Sequence, residues 1–387
     1  IRHFRDEKSV NFFSSSSFES VEETSNEMWK TISQNIEEFD ENDRFTTFLG
    51  FQWEGEIPQE GLRQIIYAKD DKPLLRKKDP RTNTLKKIYK LYSPKDIISI
   101  PTFTMAKGHD FDFQDFCPEF ERVVEIYNAW GSAETTAKDH NPKPICGTSK
   151  NSIKESQEGS IVKALLKNRR FGFVAGGLDD RGIYEDLYDC DQEQYSPGLT
   201  GIYAEELSRS SMFEALYQRQ CFATTGERII VGLNLAGQPM GSELDTLLKP
   251  GLHINRHLAG FVAGSSPLLK VELIRNGKVL TTFTPKDNSF DFEYDDLDPL
   301  SKILIDAKDK KPPFIFYYLR VTQKDGHMAW SSPIWVDCTG TLASVKPVRK
   351  TSLKSTKELR AALIKEDFNE EDVEDDFDEF DEEETEI

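Results

Sequence analysis

The sequence predicts an α/β fold followed by a small all-β, sandwich-like domain and a disordered acidic tail. Between residues 46 and 181, short apolar runs alternate with longer polar or helical stretches, which is the pattern of βα units. Beyond residue 228, apolar and polar residues alternate with a period of two, and no helical pattern separates the strands. Residues 366–387 contain 15 Asp and Glu residues and no Lys or Arg, a composition that cannot bury a core.

These patterns divide the chain of 387 residues into parts. Apolar residues recur at helical spacing between Val21 and Phe39, which predicts a helix ahead of the α/β part. The predicted parts are a helical lead-in at 1–44, the α/β barrel part at 45–228, the β domain at 229–338, and a Lys-rich linker with the acidic tail at 339–387.

Apolar runs and capping signals predict the elements of the α/β part. The spacing of Ile161 and Leu165 predicts a short amphipathic helix before the last of the strands. Ser211 and Glu214 have the spacing of a capping box, which predicts a second helix that links the two parts. The predicted strands are Thr47–Trp53, Ile97–Phe103, Val123–Tyr127 and Phe171–Ala175.

Two hairpins are predicted in the β domain. The dipeptide Asn276-Gly277 lies between two alternating runs, and this is the strongest short-range signal for a two-residue hairpin turn. A second hairpin is predicted with strands Phe314–Gln323 and Met328–Val336, joined around Asp325-Gly326. Strands without intervening helices predict a sandwich-like domain.

The charge distribution argues against a nucleic-acid-binding protein. The net charge is −19, and removing the 15 acidic residues of the tail leaves −19 + 15 = −4 for the remainder. A broad basic surface, which sequence-independent nucleic-acid binding requires, is therefore not expected. No run of about 18 apolar residues predicts a membrane span, and the charged residues 1–10 do not resemble a signal peptide. A cytoplasmic location is expected, although a signal upstream of this sequence would not be visible.

Neither the cysteines nor the common catalytic motifs predict a catalytic centre in this sequence. The five cysteines are odd in number and form no C-x-x-C pair, which predicts a reducing compartment. The sequence contains no G-x-S-x-G elbow, no Walker A loop and no G-x-G-x-x-G after a strand. Cys221 lies beside two threonines, but no histidine nearby in the sequence could activate it, so residues 219–226 are interpreted as a helix end and a turn.

Carboxylates dominate the predicted strand ends, where βα folds carry their chemistry. Gly176-Gly177 would let the backbone approach a ligand, and the adjacent Asp179-Asp180 would then point into the mouth of the fold. The alternative is a glycine-rich turn in which an aspartate caps the next helix. The acidic residues at or after strand ends include Glu54, Glu125, Glu134, Asp179 and Asp180.

Glu125 lies within an apolar strand. A buried carboxylate is costly unless it is paired, so Glu125 is expected to contact a cation. The candidates are Arg122, Arg169 or a metal ion, and the sequence leaves these alternatives open.

The number and the positions of the histidines argue against a metal site. Hydrolytic metal sites usually use several imidazole ligands, and this chain has six histidines in all. Only His109 and His140 fall near the predicted mouth. His253 and His257 would form a helical pair only if a helix began at Pro250, and they are interpreted as surface residues.

Several motifs resemble those of domain-of-unknown-function family 3604, which is related to the PHP (polymerase and histidinol phosphatase) hydrolases. The resemblance runs from about Phe45 to Val336. Its motifs are Phe171–Phe173 with Asp179-Asp180, Gly198–Thr200, Glu214–Leu216, Ala223–Ile229, and Asp325-Gly326 with Ala329–Trp335.

The resemblance implies a PHP-like barrel of βα units whose mouth binds two or three divalent ions that activate water for phosphoester hydrolysis. Family members carry an Asp-x-His-x-His strand and a Thr-Asp-His strand, and neither occurs here. The resemblance therefore implies a partial barrel that lacks its first strands. The metal would be Mn, Zn or Fe, with its site completed by an upstream segment or a partner chain.

Other ligand positions also differ from the family pattern. Neutral or apolar residues, including Gln52, Leu62 and Phe103, stand where the family has ligands. The positions that carry over as remnant metal ligands are Glu125, Glu134 and Asp179, with Asp180 beside them. Arg181 replaces a ligand histidine, and its fixed positive charge predicts an anion-binding position.

Together these features predict a PHP-like protein with a degenerate metal site that acts as a ligand-binding or interaction protein. The alternative is a metal-dependent phosphoesterase that an upstream segment or a partner chain completes. The acidic tail is a further candidate element, either as a solvated tail or as a docking segment for a basic protein.

Overall fold

A computed structural model of the protein describes residues 1–8, 10–177, 192–308 and 311–340. The described residues form a mixed α/β fold in which strands predominate and helices are few. Their strands form open sheets and no closed barrel, so the expected PHP-like barrel is not confirmed. The acidic tail and the residues Asp179, Asp180 and Arg181 lie outside the described residues.

The elements of the first half follow from short apolar runs separated by turns. The strands are β1 (Phe12–Ser14), β2 (Ser17–Phe18), β3 (Thr46–Phe48), β4 (Gly50–Glu54), β5 (Leu62–Tyr67), β6 (Ile97–Pro101), β7 (Val123–Asn128), β8 (Gly131–Ser132), β9 (Gly172–Ala175), β10 (Leu199–Ile202) and β11 (Cys221–Thr224). The helices are α1 (Asn26–Glu38), α2 (Leu85–Leu91), α3 (Ile161–Leu166) and α4 (Arg209–Tyr217).

The first half departs from the expected βα alternation at β5. This strand was not predicted, and it pairs antiparallel with both β4 and β6, in a sheet of order β2-β4-β5-β6. No helix separates β4 from β5, because a short polar loop joins them directly. The sheet is therefore mixed rather than parallel, although β4 and β6 run in the same direction.

Helix α4 begins earlier than the sequence predicts. Ser208 is the N-cap residue, and its side chain accepts a hydrogen bond from the backbone amide of Ser211. The predicted capping box at Ser211 and Glu214 therefore lies inside the helix. The helices predicted in the lead-in and before the last strand correspond to α1 and α3.

The second half consists of two sheets. The strands are β12 (Ile230–Leu235), β13 (Gln238–Pro239), β14 (Glu243–Asp245), β15 (Arg256–Ala263), β16 (Leu268–Arg275), β17 (Lys278–Phe283), β18 (Ser289–Asp296), β19 (Phe314–Gln323), β20 (Met328–Ser331) and β21 (Ile334–Asp337), with helix α5 at Leu300–Ile303. One sheet has the order β13-β12-β15-β18, and the other contains β10-β11-β20-β19-β16-β17 with β14 and β21.

Both predicted hairpins form. Asn276 and Gly277 have φ values of 53° and 74°, the left-handed conformation that a two-residue turn between β16 and β17 requires. The strand predicted at Met328–Val336 is divided at Ser332-Pro333 into β20 and β21, and both pair with β19.

The two halves share a sheet and a core. Strand β11 of the first half pairs with β20 of the second, and one apolar cluster contains Val124 and Phe173 together with Phe316 and Trp330. A second cluster fills the space between the two sheets of the second half. Within the described ranges, the helices are too short or too polar to cross a membrane.

Candidate functional site

The carboxyl ends of β4, β6, β7 and β9 lie on one side of the first half. Strands β7 and β9 are parallel, as are β4 and β6. The backbone amide of Ser99 donates to Phe120 and that of Phe103 approaches Glu125, which shows that β6 and β7 also run in the same direction. The side chains at these strand ends define the strand-end site, which consists of Glu54, Phe103, His109, Glu125 and Asn128.

Glu125 is the buried carboxylate of this site, with 6% of its surface exposed. Its Oε1 atom accepts a hydrogen bond from Asn128 Nδ2 at 2.8 Å and a longer one from the Phe103 amide at 3.4 Å. Burial raises the pKa of Glu125 to about 7, and these hydrogen bonds oppose that rise only in part. The carboxyl group is thus held near the midpoint of its titration at neutral pH.

The expected ion pair of Glu125 with Arg122 or Arg169 does not form. The Arg122 guanidinium donates to the carbonyl oxygens of Tyr217 and Pro118, and that of Arg169 donates to those of Phe113 and Gln114. Both arginines therefore stabilise loop backbone. Across the described ranges, Glu125 has no salt bridge to any lysine, arginine or histidine.

Glu54 and His109 form a second polar pair at the same strand ends. His109 Nδ1 lies 2.6 Å from Glu54 Oε1, and both side chains are largely buried. The His109 ring stacks on Phe103, with ring centroids 6.3 Å apart. Phe103 has a φ of 55°, and this unusual conformation places its amide toward Glu125 and its ring toward His109. Phe103 thus connects Glu125 to the Glu54–His109 pair.

Glu134 lies in the shared core and accepts three hydrogen bonds from protein donors. Its Oε1 atom accepts hydrogen bonds from Tyr318 Oη at 2.7 Å and from Arg320 Nη1 at 3.1 Å. Its Oε2 atom accepts one from Trp330 Nε1 at 2.8 Å. Arg320 also pairs with Glu272. Glu134 therefore joins the two halves, and a metal ion would have to displace these donors.

The remaining predicted site residues lie outside the described residues. They are Asp179, Asp180 and Arg181, whose roles stay predictions. Gly177 is the last described residue before them, and a Cβ atom there would meet no atom of the described residues within 4 Å.

His253, His257 and His327 lie in the second half of the chain. His253 ends a short 3₁₀ turn and His257 lies on β15 beside Asp295, so they do not form a helical metal pair. His327 contacts Thr225 at 2.9 Å, a contact that sequence reasoning missed. Thr225 is fully buried, and it also accepts from the Met328 amide, so the contact fixes the turn after β11. Burial raises the pKa of Cys221 to about 12, which leaves it unreactive.

The described residues do not form a metal site by themselves. Within residues 1–8, 10–177, 192–308 and 311–340, no group of three or more His, Cys, Asp and Glu side chains is arranged to hold a metal ion. Glu54 and His109 contact each other, and both carboxylate oxygens of Glu134 accept hydrogen bonds from protein donors. Glu125 can accept hydrogen bonds at the strand ends and exchange a proton near neutral pH.

Comparison with known proteins identifies similar sequences of unestablished function. The family model described as "Protein of unknown function (DUF3604)" matches residues 2–94 and 147–244. An uncharacterised protein of Chlamydia pneumoniae is 55% identical over 87% of this chain and 54% of its own length. Uncharacterised proteins of Chlamydia trachomatis and Chlamydia muridarum are each 50% identical over the same shares.

A solved structure that matches this chain superposes on it poorly. Fibronectin(III)-like modules of CbhA from Clostridium thermocellum are 12% identical, with a TM-score of 0.17 over 28% of this chain and 99% of that chain. A TM-score this low supports no conclusion about the fold. The chain is thus similar to a family of proteins of unknown function and to uncharacterised chlamydial proteins, and it spans about half the length of the curated relatives that it matches.

Proposed function

We propose that the chain is a ligand-binding protein on a PHP-like scaffold whose metal site is degenerate. The observation that carries this proposal is the state of Glu134, whose two carboxylate oxygens are both occupied by donors from the protein. A residue that carries over as a metal ligand is thereby part of the core. Glu125 remains as a buried acceptor at the strand ends, where a ligand with a donor or a positive charge would be stabilised.

Elemental analysis of the purified full chain tests the degenerate metal site. After incubation with Mn²⁺, Zn²⁺ or Fe²⁺ and dialysis, we expect far less than one metal ion per chain. Near-stoichiometric metal that is lost in Glu125→Gln and retained in Glu158→Gln would overturn the proposal. Glu158 is a matched control, because its carboxylate is exposed and pairs only with surface lysines.

Inorganic phosphate tests the proposed anion-binding position at Arg181. Calorimetric titration should give saturable binding that is lost in Arg181→Gln. Arg44→Gln removes one exposed arginine of the same charge and should bind phosphate like the wild type. Equal binding by all three proteins would exclude Arg181 as the anion-binding residue.

A second candidate function is that of a metal-dependent phosphoesterase. It is favoured because Glu125 has no cationic partner within the described ranges. A metal-dependent phosphoesterase would supply that cation as Mn, Zn or Fe, with the missing ligands on a preceding segment or a partner chain. Strand β2 is the outer strand of its sheet in the described residues, so a further strand could pair there. The longer relatives offer a source for such a segment.

The longer Chlamydia pneumoniae relative separates the two candidates. If the second candidate holds, that protein contains metal and hydrolyses p-nitrophenyl phosphate, and both properties disappear when the residue aligned with Glu125 is changed to Gln. A metal-free, inactive relative would exclude the phosphoesterase and leave the ligand-binding proposal.

The acidic tail remains a proposed docking element for a basic protein. Its 15 acidic residues would attract a cationic partner through long-range electrostatics. Deletion of residues 366–387 should weaken capture of a poly-lysine peptide at low salt. Unchanged capture by the deletion variant would exclude the tail.

A further inference from the structure

The sheet β13-β12-β15-β18 has one face on which side chains are exposed in the part of the chain that the structure describes. Its inner residues pack into the core of the second half, and the alternate residues point away from that core. The pairing register places Gly232, Phe261 and Asp291 in one row across the sheet. The next row contains Asn234, Ala259 and Glu293. We call these six residues the outer face.

The outer face carries one aromatic ring, that of Phe261, which covers Gly232. A Cβ atom on Gly232 would lie 2.1 Å from the ring of Phe261, so the glycine is required for the ring to lie flat across β12. Phe261 nevertheless remains 40% exposed. Beside it a groove of about 490 Å³ runs over Ala259 and Gly260. A Cβ atom on Gly260 would likewise lie 2.5 Å from the ring of Phe292, so both glycines make room for aromatic side chains of the sheet itself.

The acidic residues of the outer face are not neutralised by described neighbours. Asp291 and Glu293 are exposed on β18, line the groove, and have no salt bridge to any residue within the described ranges. Asp295, the next residue on that side of β18, pairs with His257 and Asn255. The groove is therefore bordered by two free carboxylates and the face of one aromatic ring.

We propose that the outer face binds an extended, basic segment of a partner protein with Lys or Arg at alternate positions. Asp291 and Glu293 are two residues apart on one strand, which separates them by roughly 7 Å. Alternate side chains of an extended segment have the same spacing, so two basic residues can meet both carboxylates. A basic side chain passing over Phe261 is also attracted to its exposed ring face.

Hydrogen exchange of the full chain with the peptide (Lys-Thr)₃ tests this proposal. Binding should slow exchange in segments covering β15 and β18. The variant Asp291→Asn/Glu293→Gln should bind roughly 5-fold or more weakly and lose this protection. Phe261→Ala should weaken binding by a smaller factor. Glu37→Gln/Glu38→Gln removes the same charge from the exposed side of α1 and should behave like the wild type.

The acidic tail and self-association give distinguishable results. Binding that is equal in the Asp291→Asn/Glu293→Gln variant and the wild type, with no protection in β15 and β18, would assign the peptide to the tail and overturn the proposal. Equal protection by (Glu-Thr)₃ would also overturn it, because charge complementarity would then play no part. Protection of β15 and β18 that rises with protein concentration, without peptide, would show that a second copy covers the face instead.

Discussion

Two buried glutamates in the first half have opposite environments. Glu134 meets an arginine, a tyrosine and a tryptophan, and these donors come from β19 and β20 of the second half. Glu125 meets one asparagine side chain and one backbone amide, and no cation within the described ranges. The comparison shows that burial alone does not distinguish a structural carboxylate from a site carboxylate. The partners of each oxygen make that distinction.

Loss of the Glu134 carboxylate should produce the largest effect on stability. Glu134→Ala leaves the Tyr318 hydroxyl and the Trp330 indole without their acceptor in the core and removes one of the two carboxylates that Arg320 contacts. Removing one partner of a buried ion pair costs about 3–5 kcal/mol. Urea unfolding followed by tryptophan fluorescence measures this loss, and Glu134→Gln, which keeps an acceptor, should lose less. A loss below about 1 kcal/mol would show that the network contributes little.

Glu125→Gln should have a smaller effect that depends on pH. The pKa of Glu125 is raised from 4.5 to about 7, so the folded protein holds the proton more tightly than the unfolded chain. The resulting stability is fully present below pH 4.5 and is lost as the pH rises to about 7. Glutamine mimics the protonated acid and should stabilise the protein above pH 7, by about 3 kcal/mol at most.

Unfolding free energies at pH 5 and pH 8 give the readout for this substitution. The difference between Glu125→Gln and the wild type should be small at pH 5 and favour the variant at pH 8. Asn128→Ala provides a second check, because it removes the Nδ2 donor of Glu125 and should destabilise the protein most where Glu125 is ionised. A pH-independent difference would contradict the assignment.

The Glu54–His109 pair should contribute less than either buried glutamate. Both side chains retain some exposure, and a hydrogen bond to a charged partner in such a place contributes about 0.5–1.5 kcal/mol. A double-mutant cycle with Glu54→Gln and His109→Gln isolates this coupling free energy. Additive effects of the two substitutions would show that the pair is not coupled in solution.

Glu158→Gln should give the smallest effect of the series. Glu158 is 57% exposed and pairs with Lys163 and Lys167 at the surface. Exposed ion pairs contribute about 0–1 kcal/mol, so the unfolding free energy should change by less than about 0.5 kcal/mol. Equal losses of unfolding free energy in Glu158→Gln and Glu134→Ala would show that the exposed and the buried carboxylate stabilise the protein equally.

Local signals predicted the elements that depend on neighbouring residues. The Asn276-Gly277 turn forms because two adjacent residues that tolerate positive φ are sufficient for it. Strand β5 was missed because Arg63 interrupts its apolar pattern. Arg63 is fully buried, and it is compensated by Glu121 and by the ring of Phe111, whose centroid lies 3.9 Å away. Such long-range compensation cannot be read from a local window.

For the candidate site, too, the sequence predicted local features but not long-range partners. Burial of Glu125 followed from its place in an apolar strand, and the location of His109 near the strand ends was also expected. The partners were not predictable, because Glu54 and His109 are distant in sequence and Arg320 approaches Glu134 from the other half of the chain. The start of α4 was also not predictable, because Ser208 and Ser211 are both suitable N-cap residues and the structure uses Ser208.

The most direct test of the account is the pKa of Glu125 in the full chain, measured from the pH dependence of its side-chain carboxyl ¹³C shift. A buried carboxyl without a cationic partner should titrate at about 7. Glu125→Gln identifies the resonance by its absence. A pKa at or below 4.5 would mean that a cation already neutralises Glu125, and it would contradict the conclusion that Glu125 is buried without a cationic partner.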